Sequence, residues 1–520
     1  MGEKLIVALL KFARHALCGA LLMGTLVPAT PAAIAPDEIW MPANNLQMRQ
    51  DVEVLADSGV LYTPIDAWPL PWTAVSADLY KVDPKTLTPL QLSAWQRLIA
   101  EMPQAPACFD TRAAAAVSVQ RGQLNLRWFA PAPRGKNDIE ATLASQCESF
   151  FYALDVSHDD EPFDNGANQN RLDGSYVGVR AGNWLVLAGE EDRWWGSGWA
   201  GTMLLDTNAR PVPTFEITRA SPAPFRTPLL SWIGPWSLTT FMGELNDGRF
   251  IPKTRIWGFR VSARPTEHFQ LGLYRTALWG GVGQDNGAGE FWRVLTGGNA
   301  LDNPQDPGSV AGSQLAGVDL RWHWLAGEQT WAFYIDGGFR DETHHIPKKF
   351  FPLFGLETGW ADEARVSKRL FMEYSDTTAG WPFTNGIPVN TVYENSQYRS
   401  GYRYYGQTLG YPTDNDSRVL TVGWVRVKGE NQSLSVLLRG GVINWDGTNV
   451  PLPGGNPLAP NARIPFVSAD VQCALPLGPG ILITDLGVAV QHPTGETNPP
   501  PGTRTHYSLQ AWVNYQVTVP

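Results

Sequence analysis

Two periods of apolar residues divide this chain. From about residue 113 onward the period is two. Val318, Leu320, Trp322 and Trp324 alternate with Asp319, Arg321 and His323. Phe269, Leu271 and Leu273 alternate with Gln270, Gly272 and Tyr274, and Trp331, Phe333, Ile335 and Phe339 with Tyr334, Asp336 and Arg340. The same holds for Leu434, Val436 and Leu438, and for the final run from Tyr507 through Leu509, Ala511, Val513 and Tyr515 to Val517. Successive side chains of a strand face opposite sides, so each run predicts a strand with one apolar and one polar face. Before residue 113 the period is helical. Thr88-Pro89-Leu90-Gln91 forms a capping box with proline at the first helical position. Leu90, Ala94, Trp95, Leu98, Ile99 and Met102 then recur at helical spacing until Pro103. An earlier helix is predicted from Asn45 to Ser58, ended by Gly59, with Trp68-Pro69-Leu70-Pro71-Trp72 rigid and extended between the two.

The apolar faces are narrow stripes with Trp and Tyr near strand ends. A soluble sandwich would pair such stripes inward, whereas a membrane barrel turns them toward lipid and leaves the other face wet. No apolar run reaches the length of a membrane-spanning helix. A spanning strand takes ~9–11 residues and, with its connection, ~20–25, so the later part of the chain holds about 16 to 20 strands. Five stretches resist strand assignment: 284–313, 341–367, 379–416, 446–463 and 491–504. They predict long loops, which in a barrel of this kind face outside.

Composition favours the barrel. Charged residues are only 17%, below the usual quarter of a soluble protein, while Gly 51, Pro 41 and Trp 22 suit many turns and interfacial rings. The net charge of −10 removes electrostatic support for nucleic acid as a partner. Residues 1–35 read as an export signal: Lys4, Lys11, Arg14 and His15 precede an apolar stretch from Ala16 to Val27, and small residues follow through Ala35. The expected division is a signal peptide over 1–35, a helical segment over 36–112, and a β-barrel over 113–520. Export permits a Cys108–Cys147 disulfide; buried reduced thiols at Cys108, Cys147 and Cys473 fit the sequence equally well.

Catalytic chemistry finds little support. Glu190, Glu191 and Asp192 beside Trp194 and Trp195 could suggest paired carboxylates of a glycosidase. Adjacent residues of a strand diverge, however, and a charge cluster at a strand end more often pairs with arginine. His344-His345 lacks a third ligand at metal spacing, and no nucleophile elbow, HExxH or P-loop occurs. Neither a metal nor a cofactor is expected. The densest aromatic and basic stretch is Tyr398, Arg399, Tyr402, Arg403, Tyr404 and Tyr405, preceded by Tyr393. Sugar rings lie on aromatic planes, and arginine forks hold carboxylates or phosphates, so these six residues are the candidate site for an acidic polysaccharide. An interfacial girdle with snorkelling arginines fits them equally. Lys348, Lys349, Phe350, Phe351 and Trp360 have the same character.

Two blocks carry a resemblance. One holds Trp194-Trp195-Gly196-Ser197-Gly198-Trp199, then Asn208-Ala209-Arg210-Pro211, then Trp232-Ile233-Gly234-Pro235-Trp236-Ser237. The other holds Leu46-Gln47-Met48-Arg49-Gln50-Asp51, Leu55-Ala56-Asp57-Ser58-Gly59-Val60 and Ala67-Trp68-Pro69-Leu70-Pro71-Trp72. Their order and spacing resemble the capsule assembly Wzi family. The resemblance implies an 18-stranded antiparallel outer-membrane β-barrel with helices at its periplasmic end. It further implies a non-catalytic lectin that anchors capsular or other surface polysaccharide and helps organise the capsule. Outer-membrane lipid and lipopolysaccharide would surround it, and capsule export machinery is a further candidate partner. A porin or a glycan-processing enzyme is the alternative. The chain ends Gln516-Val517-Thr518-Val519-Pro520, without the terminal aromatic that such barrels often carry.

Overall fold

The computed structural model describes residues 39–103, 111–122, 126–164, 166–296, 312–343, 346–362, 366–380, 389–429, 431–449, 455–495 and 505–519. The signal segment, Cys18, Cys108 and His344-His345 lie outside the described residues.

Four α-helices occur among the described residues: α1 (Leu46–Asp57), α2 (Trp72–Leu79), α3 (Pro89–Glu101) and α4 (Ala288–Thr296). Asn45 caps α1 by accepting from the Met48 N–H at 3.0 Å, and Gly59, at φ +75°, lets the chain leave it. In the Thr88 capping box the Thr88 N–H donates to Gln91 Oε1 at 2.9 Å. Arg97 of α3 donates to Asp51 of α1 at 2.8 Å and binds the two helices together. Every residue of α1 is buried, charged ones included, so it must lie inside something polar.

That something is a closed antiparallel barrel. Its first nine strands are β1 (Thr111–Arg121), β2 (Asn137–Gln146), β3 (Phe150–Asp159), β4 (Tyr176–Ala181), β5 (Trp184–Gly189), β6 (Thr214–Arg219), β7 (Trp236–Leu245), β8 (Thr254–Thr266) and β9 (Phe269–Trp279). The others are β10 (Ser313–Ala326), β11 (Gln329–Thr343), β12 (Ile346–Ala361), β13 (Ser367–Asp376), β14 (Arg418–Val427), β15 (Ser433–Ile443), β16 (Ala462–Leu477), β17 (Gly480–Gln491) and β18 (His506–Val519). These eighteen make the wall; two-residue pieces at Asn170–Arg171 and Thr494–Gly495 extend it locally. β18 pairs with β1, Thr518 opposite Ala114, and leaves no edge. Strand β1 opens at Thr111, two residues before the point where the sequence changes period.

The alternation sets the two faces. In β10, Asp319, Arg321 and His323 are buried inside, while Trp322 is 53% exposed outside. The outer face carries Val117, Ile139, Val156, Leu273, Met372, Leu420, Leu438 and Leu509, all exposed. So much apolar surface around a closed wall suits lipid rather than water. Trp324 stacks on Trp331 at 6.3 Å beside the Gly327 turn, as an aromatic girdle would. One end of the barrel has short turns at Glu267–His268, Gly327–Glu328 and Gly478–Pro479. The C-terminal end of α1 meets that end: Arg264 donates to the Ala56 and Leu61 carbonyls at 2.6 and 2.8 Å.

Two loop expectations require correction. The stretch 341–367 is largely strand β12, because Phe351 and Leu353 fill the lumen while neighbouring positions of the strand face out. Lys348, Lys349, Phe350, Phe351 and Trp360 therefore belong to the wall rather than to a binding loop. The described part of 379–416 folds inward, as its apolar tyrosines require.

Candidate functional site

The lumen is occupied by the connection from Trp194 to Arg210. It is held by carboxylates that four neighbouring strands aim inward. Asp319 of β10 accepts from the Ser197 N–H at 2.8 Å and from its hydroxyl at 2.9 Å. Asp336 of β11 accepts from the Met203 N–H at 2.9 Å. Glu357 of β12 accepts from the Trp199 indole at 2.6 Å. Glu373 of β13 takes the Trp199 and Ala200 N–H groups at 2.6 and 2.9 Å. An irregular segment cannot satisfy its own backbone, so the wall supplies the acceptors. From the helical side, Arg49 of α1 donates to the Gly198 and Ser197 carbonyls at 2.8 and 2.7 Å and stacks on Trp199 at 4.1 Å. The Trp-Trp-Gly-Ser-Gly-Trp run is thus a structural plug. The inward acids were visible only as polar positions of strands; their shared height in the barrel carried no sequence signal.

Above the plug, toward the long connections, lies the segment 389–417. Tyr393, Tyr398, Tyr402, Tyr404 and Tyr411 join the same core as Trp195, Trp199 and Phe371. The Tyr393 hydroxyl donates to the Met203 carbonyl at 2.7 Å, and that of Tyr398 to the Gly280 carbonyl at 3.1 Å. Burial raises the Tyr398 and Tyr402 phenols above their ordinary range. Arg403 is clamped by Asp414 at 2.7 Å and by Glu394. Arg403–Tyr404 pairs with Gln407–Thr408 in a short hairpin. Of the six candidate residues, four therefore build this loop from within. Arg399 is exposed and lies 4.9 Å over the ring of Phe250, itself 59% exposed. Tyr405 is half-buried, with Arg210 5.2 Å over its ring and its N–H bonded to Asp247 at 3.0 Å. Phe250 carried no signal in the sequence, because its role depends on a turn 149 residues away in the chain from Arg399.

The acidic cluster beside the tryptophans is a pairing network. Asp192 accepts from Arg134 at 2.8 Å, and Arg193 binds Glu216 at 2.8 Å. A cavity of about 290 Å³ remains along β1–β3 and β16–β18, with a mixed lining that includes Arg127, Arg134, Asp138, Arg171, Ile483 and Trp512. Glu53, Asp57 and Glu357 come within metal-like reach of one another. Arg321 and Arg369 stand among them, at 2.8 Å from Asp57 and 2.7 Å from Glu357, and supply the counter-charge. Cys147 is disulfide-bonded, to a partner outside the described residues, and Cys473 is free.

The profile of a family described as capsule assembly protein Wzi matches residues 112–476, which is most of the barrel. The chain belongs to the capsule assembly Wzi family. An uncharacterized 55.8 kDa protein in the cps region of Klebsiella pneumoniae is 27% identical over 328 residues. That match spans 62% of this chain and 62% of the relative's length. The solved Wzi of Escherichia coli superposes with a TM-score of 0.74 at 19% identity, over 92% of this chain and 98% of that one. That Wzi is described as an outer membrane protein involved in group 1 capsule assembly and a carbohydrate-binding β-barrel. At this identity the likeness establishes a shared fold, the 18-stranded Wzi barrel.

Proposed function

We propose that this protein is a non-catalytic outer-membrane lectin of a Gram-negative bacterium. It binds capsular or another surface polysaccharide, attaches it to the cell and organises capsule assembly. The observation that carries this reading is the filled lumen: the inward carboxylates and tyrosines hold the molecule's own connections in order. A barrel built that way presents a surface at its long-loop end instead of a path. The carbohydrate-binding description of the Escherichia coli Wzi supports the same reading. In it, residues 1–35 are the cleaved export signal and 36–112 occupy the periplasmic end, where capsule export machinery has access. Lipid surrounds the apolar band. Asp192 serves its pairing with Arg134 rather than turnover.

Within the candidate stretch, Arg399 and Tyr405 make the glycan contact, joined by Phe250, while Tyr398, Tyr402, Arg403 and Tyr404 hold the loop. The test compares cell-bound with released polysaccharide in strains carrying Arg399→Gln together with Tyr405→Ala. Released polysaccharide should rise several-fold while the folded protein stays at its normal level in the outer membrane. Arg403→Gln, in contrast, should lower the folded level itself, because it leaves the Asp414 and Glu394 carboxylates buried without their cation. Normal retention in the first strain, with the protein confirmed at the surface, would move the glycan site elsewhere.

A further inference from the structure

The inward positions of β1 are small. Ala114, Ala116 and Ser118 are buried there, while Val117 and Val119 face out. Strands β10–β13 fill the lumen from their side with Asp319, Tyr334, Glu357 and Glu373. Against β1 room is left, and the cavity of about 290 Å³ occupies it. That volume stands at the lower end of the ~300–1,000 Å³ range of small-molecule sites. Its two sides differ. From β16–β18 come Ala474, Ile481, Ile483 and Trp512, packed on one another as an apolar cluster. From β18, β1 and the two strands that follow come polar groups whose bonding is incomplete. Asn514 Nδ2 donates to Ser118 at 2.7 Å, Thr142 donates to Asp155 Oδ2 at 2.9 Å, and Arg171 donates to Asp138 Oδ2 at 2.7 Å. The remaining oxygens, Asn514 Oδ1, Asp155 Oδ1 and Asp138 Oδ1, have no hydrogen-bond partner among the described residues. Two donors on lining residues, Asn45 Nδ2 and Arg127 Nε, are in the same position. All five side chains are more than nine-tenths buried, where an unmatched polar atom is costly.

The unmatched set holds acceptors and donors together. A cation answers only the acceptors and an anion only the donors, whereas a hydroxyl answers both. Charge narrows the choice further. Asp138, Glu140, Asp155, Asp173, Glu191 and Asp192 line the cavity against Arg127, Arg134 and Arg171. Beyond the lining, Arg210 answers Asp173 at 2.7 Å and Asp159 adds a carboxylate 3.9 Å from Arg171, so the acidic excess stands. Uronate and phosphate are disfavoured there. We propose that this cavity takes a neutral sugar unit, with hydroxyls on Asn514, Asp138 and Asp155 and the C–H face of the ring toward Trp512 and Ile483. Entry is from the long-loop end, where the Asp192 side chain keeps 26% exposure, so the occupant is a chain terminus or a short saccharide. This rests on the polysaccharide reading above and adds to it a site of opposite preference: the loop contact at Arg399 selects charge, and the lumen a neutral ring.

The test is saturation-transfer NMR on the full chain, in micelles of a detergent without a sugar headgroup. The probes are glucose, galactose, mannose and N-acetylglucosamine, with glucuronate as the charged comparison. At least one neutral sugar should receive saturation from the protein, and glucuronate should receive several-fold less. Ala474→Phe fills the cavity from its apolar side without removing a hydrogen bond, and should abolish the transfer. Trp512→Leu should weaken it several-fold, through the lost ring contact. Heat-modifiable migration confirms that each variant is folded. No transfer to any neutral sugar overturns the proposal and leaves a cavity filled by water alone. Full transfer in folded Ala474→Phe overturns it too, as does glucuronate binding as well as the neutral sugars. Arg399→Gln with Tyr405→Ala separates the two sites. It should lower polysaccharide retention and leave the small-sugar signal unchanged. Loss of that signal in the loop variant would place the sugar at the loops and undo only the lumenal site; unchanged retention would undo only the loop contact.

Discussion

At the residue scale, the glycines of the Trp-rich run are fixed by steric contact with the wall. A Cβ on Gly196 would lie 2.6 Å from Asp336 Oδ2 and 3.0 Å from Thr202 Cγ2. The Asp336 oxygen is the one that accepts from Met203, so it cannot withdraw without stranding a buried N–H. On Gly201 a Cβ would meet the Tyr411 ring and Pro412 at 2.6 Å. Gly196→Val should therefore destabilise the barrel by about 3 kcal/mol or more, through overpacking and a lost hydrogen bond. Heat-modifiable migration of the outer-membrane fraction reads this as loss of the folded band. Normal folding with selective loss of polysaccharide binding would show that the run is a ligand site instead. That these glycines lie in a constrained corner was legible from their bracketing by tryptophan. The partners were not, because Asp336 and Tyr411 are more than a hundred residues away in the chain.

At the element scale, strands and loops differed in how much of them could be read in advance. Strand faces followed directly from the period of two, and α3 from its capping box and stop. Long connections did not. High Tyr, Arg and Asp content reads as an exposed loop, yet 389–417 buries its tyrosines and pairs its charges inside the barrel mouth. Asp416 gives this loop a pH response. Its N–H bonds the Thr377 carbonyl at 3.0 Å, and its carboxylate accepts from the Asp446 N–H at 3.0 Å. Burial first, then neighbouring Asp446 and Asp376, push its carboxyl up from 3.8 to about 7. The folded loop thus holds a proton that the unfolded chain releases near pH 4. The stabilisation is complete below about pH 4 and declines as pH rises toward 7, where the folded carboxyl also ionises. Limited proteolysis of this loop should be slower at pH 5 than at pH 8. In Asp416→Asn, which keeps the shape and tolerates the positive φ of 54°, that difference should shrink. An unchanged pH dependence in the variant would assign the effect to another group.

At the scale of the whole molecule, a barrel wide enough for a channel has been largely filled by its own connections. Eighteen strands enclose a space that a porin leaves wet. Here α1 enters from the short-turn end and 389–417 closes the other, with the Trp194–Arg210 plug between them. The joints are charged. Arg321 and Arg369 of the wall meet Glu53 and Asp57 of α1, and Asp319 and Glu373 of the wall hold the plug. Such groups are costly to bury and costlier to leave alone, so removing one partner should loosen the filling before it breaks the wall, whose backbone ladder is separate. The intact protein should accordingly carry little or no current in planar bilayers. Asp319→Ala with Glu373→Ala strips acceptors from Ser197, Trp199 and Ala200, and the released segment should admit discrete ion-conducting steps. The cavity of about 290 Å³ along β1–β3 and β16–β18 gives such a path a place to begin. Steady conductance through the wild-type protein would favour a diffusion channel over a surface lectin. A closed wild type beside a conducting variant would show that the lumen is given over to holding the plug and the outer loops.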